Sequence, residues 1–126
     1  MSRGYELRLQ DILDAIDKIK RYTDGLDFAK FEVNSMVVDS VNMNLSIIGE
    51  AVRNLPVSLQ MQYPQVDWRN IAGLRNIITH EYFRLNLARI WDVIENELPK
   101  LASQIKQILE DKTNQANSEG ETNGEE

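Results

Sequence analysis

Apolar side chains recur along this chain at the spacing of helices. From Tyr5 to Tyr22 they fall at Tyr5, Leu9, Ile12, Ile16 and Ile19, steps of four and three that gather them on one face of an amphipathic helix. Asp24-Gly25 gives a stop signal, and Asp27 is a candidate N-cap for the next helix. This second helix is predicted from about Phe28 to Leu55, with Val33, Val37, Val41, Leu45, Ile48, Val52 and Leu55 on one seam. Met36, Met43, Ile47, Gly49 and Ala51 make a second apolar or small line on it, which implies packing on two sides, within a bundle or across a dimer interface. Pro56 ends that helix, and residues 56–66 read as a loop with a short helical turn over Ser58–Gln62. Asp67 caps a third helix in which Ile71, Leu74 and Ile78 share the buried stripe, while Tyr63 and Trp68 cover the core edge. Gly73 inside this helix is expected to mark a close approach by another helix.

Asn86 can cap a fourth helix, along which Leu87, Trp91, Ile94, Leu98, Leu101, Ile105 and Ile108 repeat with heptad-like spacing. Pro99 is predicted to kink it near Asn96 without ending it, because the apolar seam resumes. After Asp111 the seam stops. Residues 112–126 are rich in Asn, Ser, Gly, Thr and Glu and are expected to form a disordered acidic tail. The expected fold is therefore all-α: one domain over residues 1–111, an antiparallel bundle of four main helices, with the tail outside it.

Composition narrows the chemistry. The chain has 126 residues, no cysteine and one histidine, so disulfides and thiolate metal sites are excluded and a zinc site is not expected. No run approaches the roughly 18 apolar residues of a membrane span, and no signal-peptide apolar region is seen, so a cytoplasmic location is expected. The net charge of −6 argues against a general nucleic-acid surface. Four glutamates against one lysine in residues 112–126 carry half of that charge, however. Between Trp68 and Trp91 the charges are Arg69, Arg75, Arg84 and Arg89 against Glu81 alone, which leaves the potential locally positive or describes an ordinary solvated face.

The single histidine, His80, is the chain's natural acid/base group near neutral pH. On a helical wheel with Arg75 at 0° and about 100° per residue, Asn76 falls near 100° and His80 near 140°. Ile71, Leu74 and Ile78 gather between about −40° and −100°, so His80 points away from the core and towards solvent, a ligand or a second subunit. Ile77 lies beside it, also off the core face. Glu50, among apolar neighbours, is either a solvent-exposed residue or a carboxylate orienting Arg75 or Arg53. The Arg75-to-His80 spacing alone is weak, since chance would supply an arginine there about once in sixteen.

The longer string is more specific. Arg75, Asn76, His80 and Tyr82, with Trp68-Arg69-Asn70-Ile71-Ala72-Gly73-Leu74 before them, resemble the signature of the HepT-like toxins of the HEPN superfamily. The resemblance also takes in Ile47-Ile48-Gly49-Glu50-Ala51, Tyr63-Pro64, Ile90-Trp91 and Glu97-Leu98-Pro99, and spans about residues 5 to 110. Arg84 departs from it, standing where many relatives have glycine. It implies a metal-independent endoribonuclease, the toxin of a toxin–antitoxin pair, with Arg75, Asn76 and His80 in the catalytic site and no cofactor. It further implies a homodimer with the site between subunits, and a minimal nucleotidyltransferase antitoxin that transfers AMP to Tyr82. A different class stays open: a non-catalytic, nucleotide- or partner-binding helical subunit of a nucleotidyltransferase complex, in which Arg75 and His80 only bind phosphate. An inactive relative with an intact motif is a third reading.

Overall fold

A computed structural model describes residues 4–79 and 86–124, apart from the side chains of 75–79 and 118–124. The described residues are helical almost throughout and contain no strand. They form α1 (Gly4–Thr23), α2 (Phe28–Glu32), α3 (Ser35–Arg53), α4 (Val57–Gln62), α5 (Trp68–Thr79), α6 (Leu87–Asp92), a π-helical turn over Val93–Glu97, and α7 (Leu98–Gly124). The rods α1, α3, α5 and α6–α7 build the bundle. Helix α3 is its centre, packed most extensively against α1 on one side and α5 on the other, while α7 closes against α1. No described helix is long and apolar enough to cross a membrane.

The core follows the pattern of the sequence. Leu9, Ile12, Ile16 and Ile19 of α1 meet Val41, Leu45, Ile48 and Val52 of α3, with Leu101, Ile105 and Ile108 of α7 beside them. At roughly 1.5–3 kcal/mol for each fully buried aliphatic side chain, this apolar set is what opposes the entropy of the chain. Two buried polar residues are satisfied within their own helices: Thr23 Oγ1 donates to the Ile19 carbonyl at 2.8 Å, and Asn44 Nδ2 to the Ser40 carbonyl at 2.8 Å.

Three features differ from expectation. The second helix is two helices, because Asn34 adopts an extended conformation and its side chain accepts from the Val37 amide at 3.2 Å, restarting the helix as α3. Val33, expected on the seam, is thereby 79% exposed, and Phe31 and Val38 fill the core instead. Gly49 and Ala51, on the second line of that helix, are buried inside the bundle, one of the two placements that the sequence allows. Gly73 marks no close approach among the described residues: apart from the helix's own backbone, a Cβ there would meet none of their heavy atoms within 4 Å.

The third difference concerns the last rod. It passes Pro99 through the π-helical turn, where the Leu98 amide reaches back to the Val93 carbonyl. A wide turn relieves the clash between a pyrrolidine ring and the carbonyl four residues earlier. It also shifts the buried stripe, so that Ile90 and Val93 are fully buried while Trp91 and Ile94 are only half-buried. The rod then continues as helix to Gly124, where the sequence suggests a disordered tail. Propagating an existing helix avoids the cost of nucleating one. Residues 113–117 are all exposed, and Ile108 is the last buried residue among the described side chains.

Candidate functional site

Helix α5 carries the first half of the candidate site, and its placement is fixed from three directions. At its start, Asp67 accepts from the Asn70 amide at 3.3 Å through its carboxylate and from the Ile71 amide at 3.1 Å through its carbonyl. Such a cap supplies partners for donors that the first turn would otherwise leave unmet. Trp68, 7% exposed, donates its indole N–H to the carbonyls of Gln60 at 3.2 Å and Tyr63 at 3.0 Å, pinning α5 to the end of α4. Along its inner face, Ile71 and Leu74 are buried against the core.

The short helix α4 is itself tied down. Gln60 Nε2 reaches the Val52 and Leu55 carbonyls at 3.3 and 3.2 Å, satisfying acceptors at the end of α3. Tyr63 donates its hydroxyl to Asp111 on α7 at 3.1 Å. Burial foremost, then this hydrogen bond and the carboxylate's charge, hold the Tyr63 pKa above its ordinary value. Tyr63 and Trp68 thus cover the core edge, as the sequence suggests.

Arg75 and Asn76 occupy consecutive positions in the C-terminal half of α5, past the buried Leu74. Their side chains, and the whole of His80 and Tyr82, lie outside the described residues, as does Arg84. The described helix ends at Thr79, immediately before His80 in sequence. Glu50 and Arg53 stand exposed on α3, the helix on which α5 packs. Glu50 accepts from Asn54 Nδ2 at 3.3 Å.

Across the 80–85 stretch, α6 begins at Leu87 with Asn86 at its N-cap position. Trp91 stacks obliquely on Phe31, ring centroids 5.0 Å apart, and more loosely on Phe28 at 6.5 Å, which holds α6 to α2. Arg89, one of the four arginines that make this region positive by sequence, is engaged with Glu97 at 3.1 Å and lies 3.6 Å from Asp92. Its charge is therefore largely answered locally. Glu97 also accepts from Asn70 Nδ2 on α5 at 2.6 Å. Sequence reasoning missed this three-residue link because its members are separated by up to 27 positions and follow no local pattern. Among the described residues no group of three or more His, Cys, Asp or Glu side chains is arranged to hold a metal ion.

The family model described as "Ribonuclease HepT-like" matches residues 12–108, from α1 to the last buried turn of α7. A protein of Methanocaldococcus jannaschii named "Putative RNase" is 37% identical over 103 residues, 82% of this chain and 85% of its own. Another so named, from Caldanaerobacter subterraneus, is 36% identical over 102 residues, covering 81% of this chain and 91% of its own. The "Probable ribonuclease HepT" of Thermococcus cleftensis is 29% identical over 108 residues, 86% of this chain and 98% of its own. No solved structure matches the chain. With an all-helical bundle among the described residues, Arg75 and Asn76 near the end of α5 and a family match across most of its length, the chain belongs to the HepT-like ribonuclease family.

Proposed function

We propose that this protein is a metal-independent endoribonuclease, the toxin of a toxin–antitoxin pair, acting as a homodimer with Arg75, Asn76 and His80 in the catalytic site. The observation that carries the reading is the family match over residues 12–108, which contains the whole motif, together with the consecutive placement of Arg75 and Asn76 on α5 just ahead of His80.

Cleavage of RNA without a metal asks for three things: a base for the ribose 2′-hydroxyl, a cation for the charge that develops on phosphorus, and an acid for the departing oxygen. His80 takes the 2′-hydroxyl proton as the 2′-oxygen attacks phosphorus. Arg75 offers a planar, permanently charged fork to the phosphate oxygens, which a lysine would not reproduce. Asn76 donates to a phosphate oxygen or fixes the imidazole. As the bond from phosphorus to the 5′-oxygen breaks, that oxygen collects a proton, leaving a 2′,3′-cyclic phosphate and a free 5′-hydroxyl.

One histidine cannot be base and acid in the same step, so the second proton-transfer group comes from the partner's copy across a two-fold axis. Supporting this, Met36, Met43 and Ile47 are 81%, 65% and 39% exposed, and they fall within about 40° of one another on α3. A stripe of large apolar side chains on a helix next to the catalytic rod is the kind of surface that a second copy covers. Tyr82 is the site of AMP transfer from a nucleotidyltransferase antitoxin. Its hydroxyl oxygen attacks the α-phosphorus of ATP with loss of pyrophosphate, and the resulting phosphodiester places an anion where the substrate phosphate would bind. Glu50 and Arg53, on α3 beside α5, are the supporting charges of this reading.

The test is cleavage of mixed single-stranded RNAs by the purified protein and by His80→Ala. Loss of a general base and acid should lower the rate by at least about 10²-fold with an unchanged melting temperature. Undiminished cleavage by His80→Ala would remove the proposal, and binding of RNA without cleavage by the parent protein would favour a non-catalytic module. For Tyr82, co-expression with a cognate nucleotidyltransferase should add one adenylyl group, the mass of AMP less one water, to the peptide that contains it.

A further inference from the structure

Glu97 closes the π-helical turn, and its two carboxylate oxygens face two different helices. Oε1 accepts from Asn70 Nδ2 at 2.6 Å, and Oε2 accepts from Arg89 Nη1 at 3.1 Å. Asn70 lies in the first turn of α5, and Arg89 lies on α6. These are the two helices that flank residues 80–85, the stretch with His80 and Tyr82. One carboxylate therefore joins both sides of the chain segment that the proposed chemistry depends on. The 2.6 Å contact is short even for a charge-assisted bond, and both Asn70 and Glu97 are only partly exposed, so water competes weakly for it. By contrast, the neighbouring bond from Asn96 Nδ2 to Asp92, at 2.7 Å, is exposed and stays within one rod.

The wide turn decides where this carboxylate points. One extra residue in a turn rotates the rest of the rod by about 100° relative to a regular helix. A regular rod that kept α6 in place would carry Glu97 away from the α5 side. Single π-helical turns are frequent at functional sites because they re-aim one side chain without breaking the helix. Here the re-aimed side chain is the one that ties α5 to α6.

We propose that Glu97 is a positioning residue of the RNA-cleaving site: holding Asn70 and Arg89 together, it fixes α5 against α6 and sets how the stretch bearing His80 is presented. The inference rests on the ribonuclease reading for its catalytic consequence, whereas its structural half does not. Glu97 acts through the helices and need not touch RNA.

The experiment compares the parent protein with Glu97→Ala, Glu97→Gln, His80→Ala and a control, Leu101→Ala, whose side chain is buried in α7 and joins no part of the link. Three quantities are measured: kcat and KM on a single-stranded RNA, melting temperature, and hydrogen exchange by mass spectrometry over residues 79–86 without RNA. Glu97→Ala should lower kcat about 10- to 100-fold with KM changed less than about twofold, the effect of a misplaced reacting group. Exchange over 79–86 should accelerate while peptides from α1 stay as in the parent. Glu97→Gln keeps an acceptor for Asn70 and loses the charge that faces Arg89, so it should fall between the two. Being isosteric, it keeps the test decisive if the alanine variant folds poorly. Leu101→Ala should melt lower with no preferential acceleration over 79–86. Unaltered exchange over 79–86 in both Glu97 variants overturns the proposal, and so does accelerated exchange with an undiminished kcat. If the parent protein cleaves no RNA, the ribonuclease reading fails and takes the catalytic half of the inference with it, while the exchange data still decide the link between the helices.

Discussion

A methyl group added at Gly73 would meet none of the described residues beyond its own helix's backbone, since no other heavy atom of theirs lies within 4 Å of where it would stand. Among the described residues it therefore weakens α5 without serving a close contact. Replacing it by alanine should stabilise the protein by about 1 kcal/mol, read as a melting temperature a few degrees higher. No gain would mean that something outside the described residues occupies that space. Tyr63 gives a pH-dependent counterpart. Its pKa is raised above 10.0 in the folded chain by burial first, then by the bond it donates to Asp111 and that carboxylate's charge. A raised folded-state pKa contributes stability that is fully present below the unfolded value of 10.0 and is lost as pH climbs through the folded one. Tyr63→Phe removes the contribution. The melting-temperature gap between parent and variant should be open at about pH 8 and shrink above about pH 10, and a gap constant across that range would contradict the assignment. His80 stands out as the candidate acid/base group from composition alone, because it is the chain's single histidine. The carboxylate of Glu97 does not, since its importance comes from two partners on other helices.

Among the elements, the rods were legible wherever one apolar face ran unbroken. Helix α1 and the start of α5 match their predicted extents to within a residue or so, because periodicity and capping residues agreed. The break between α2 and α3 was hidden by apolar spacing that continues across it. Val33 fits the seam by count, yet Asn34 offers the backbone a side-chain acceptor and the helix restarts there. Asn34→Ala should therefore cost about 1 kcal/mol and lower the melting temperature by a few degrees, with the α3 N-terminus exchanging faster. An unaltered melting temperature would show that the cap is replaced by solvent at no cost. The π-helical turn escaped notice for a related reason. Proline signals a disturbance, but whether the helix bends or widens depends on which side chains must reach the core.

At the scale of the whole molecule, the sequence suggested a helix packed on two sides, and the structure divides that suggestion. Gly49 and Ala51 serve the bundle's own interior, while Met36, Met43 and Ile47 face outward. If the outward stripe is where two copies meet, Met43→Glu should yield a monomer by sedimentation, with an unchanged helical spectrum and lost RNA cleavage. A dimer that survives this change would move the interface elsewhere. The rod that closes the bundle bears on chain length as well. From Val93 to Leu98 the buried stripe advances by five residues, where an ordinary helix would take four. Excising Glu95 or Asn96, both solvent-facing, would turn that step into a regular one and leave the apolar faces before and after it in phase. The same excision in the middle of α1 or α3 would swing half of a rod's oily side into water. Shortening by one residue here therefore keeps the interior in register, and its cost falls on Pro99, whose ring returns to the clash that the wide turn relieves.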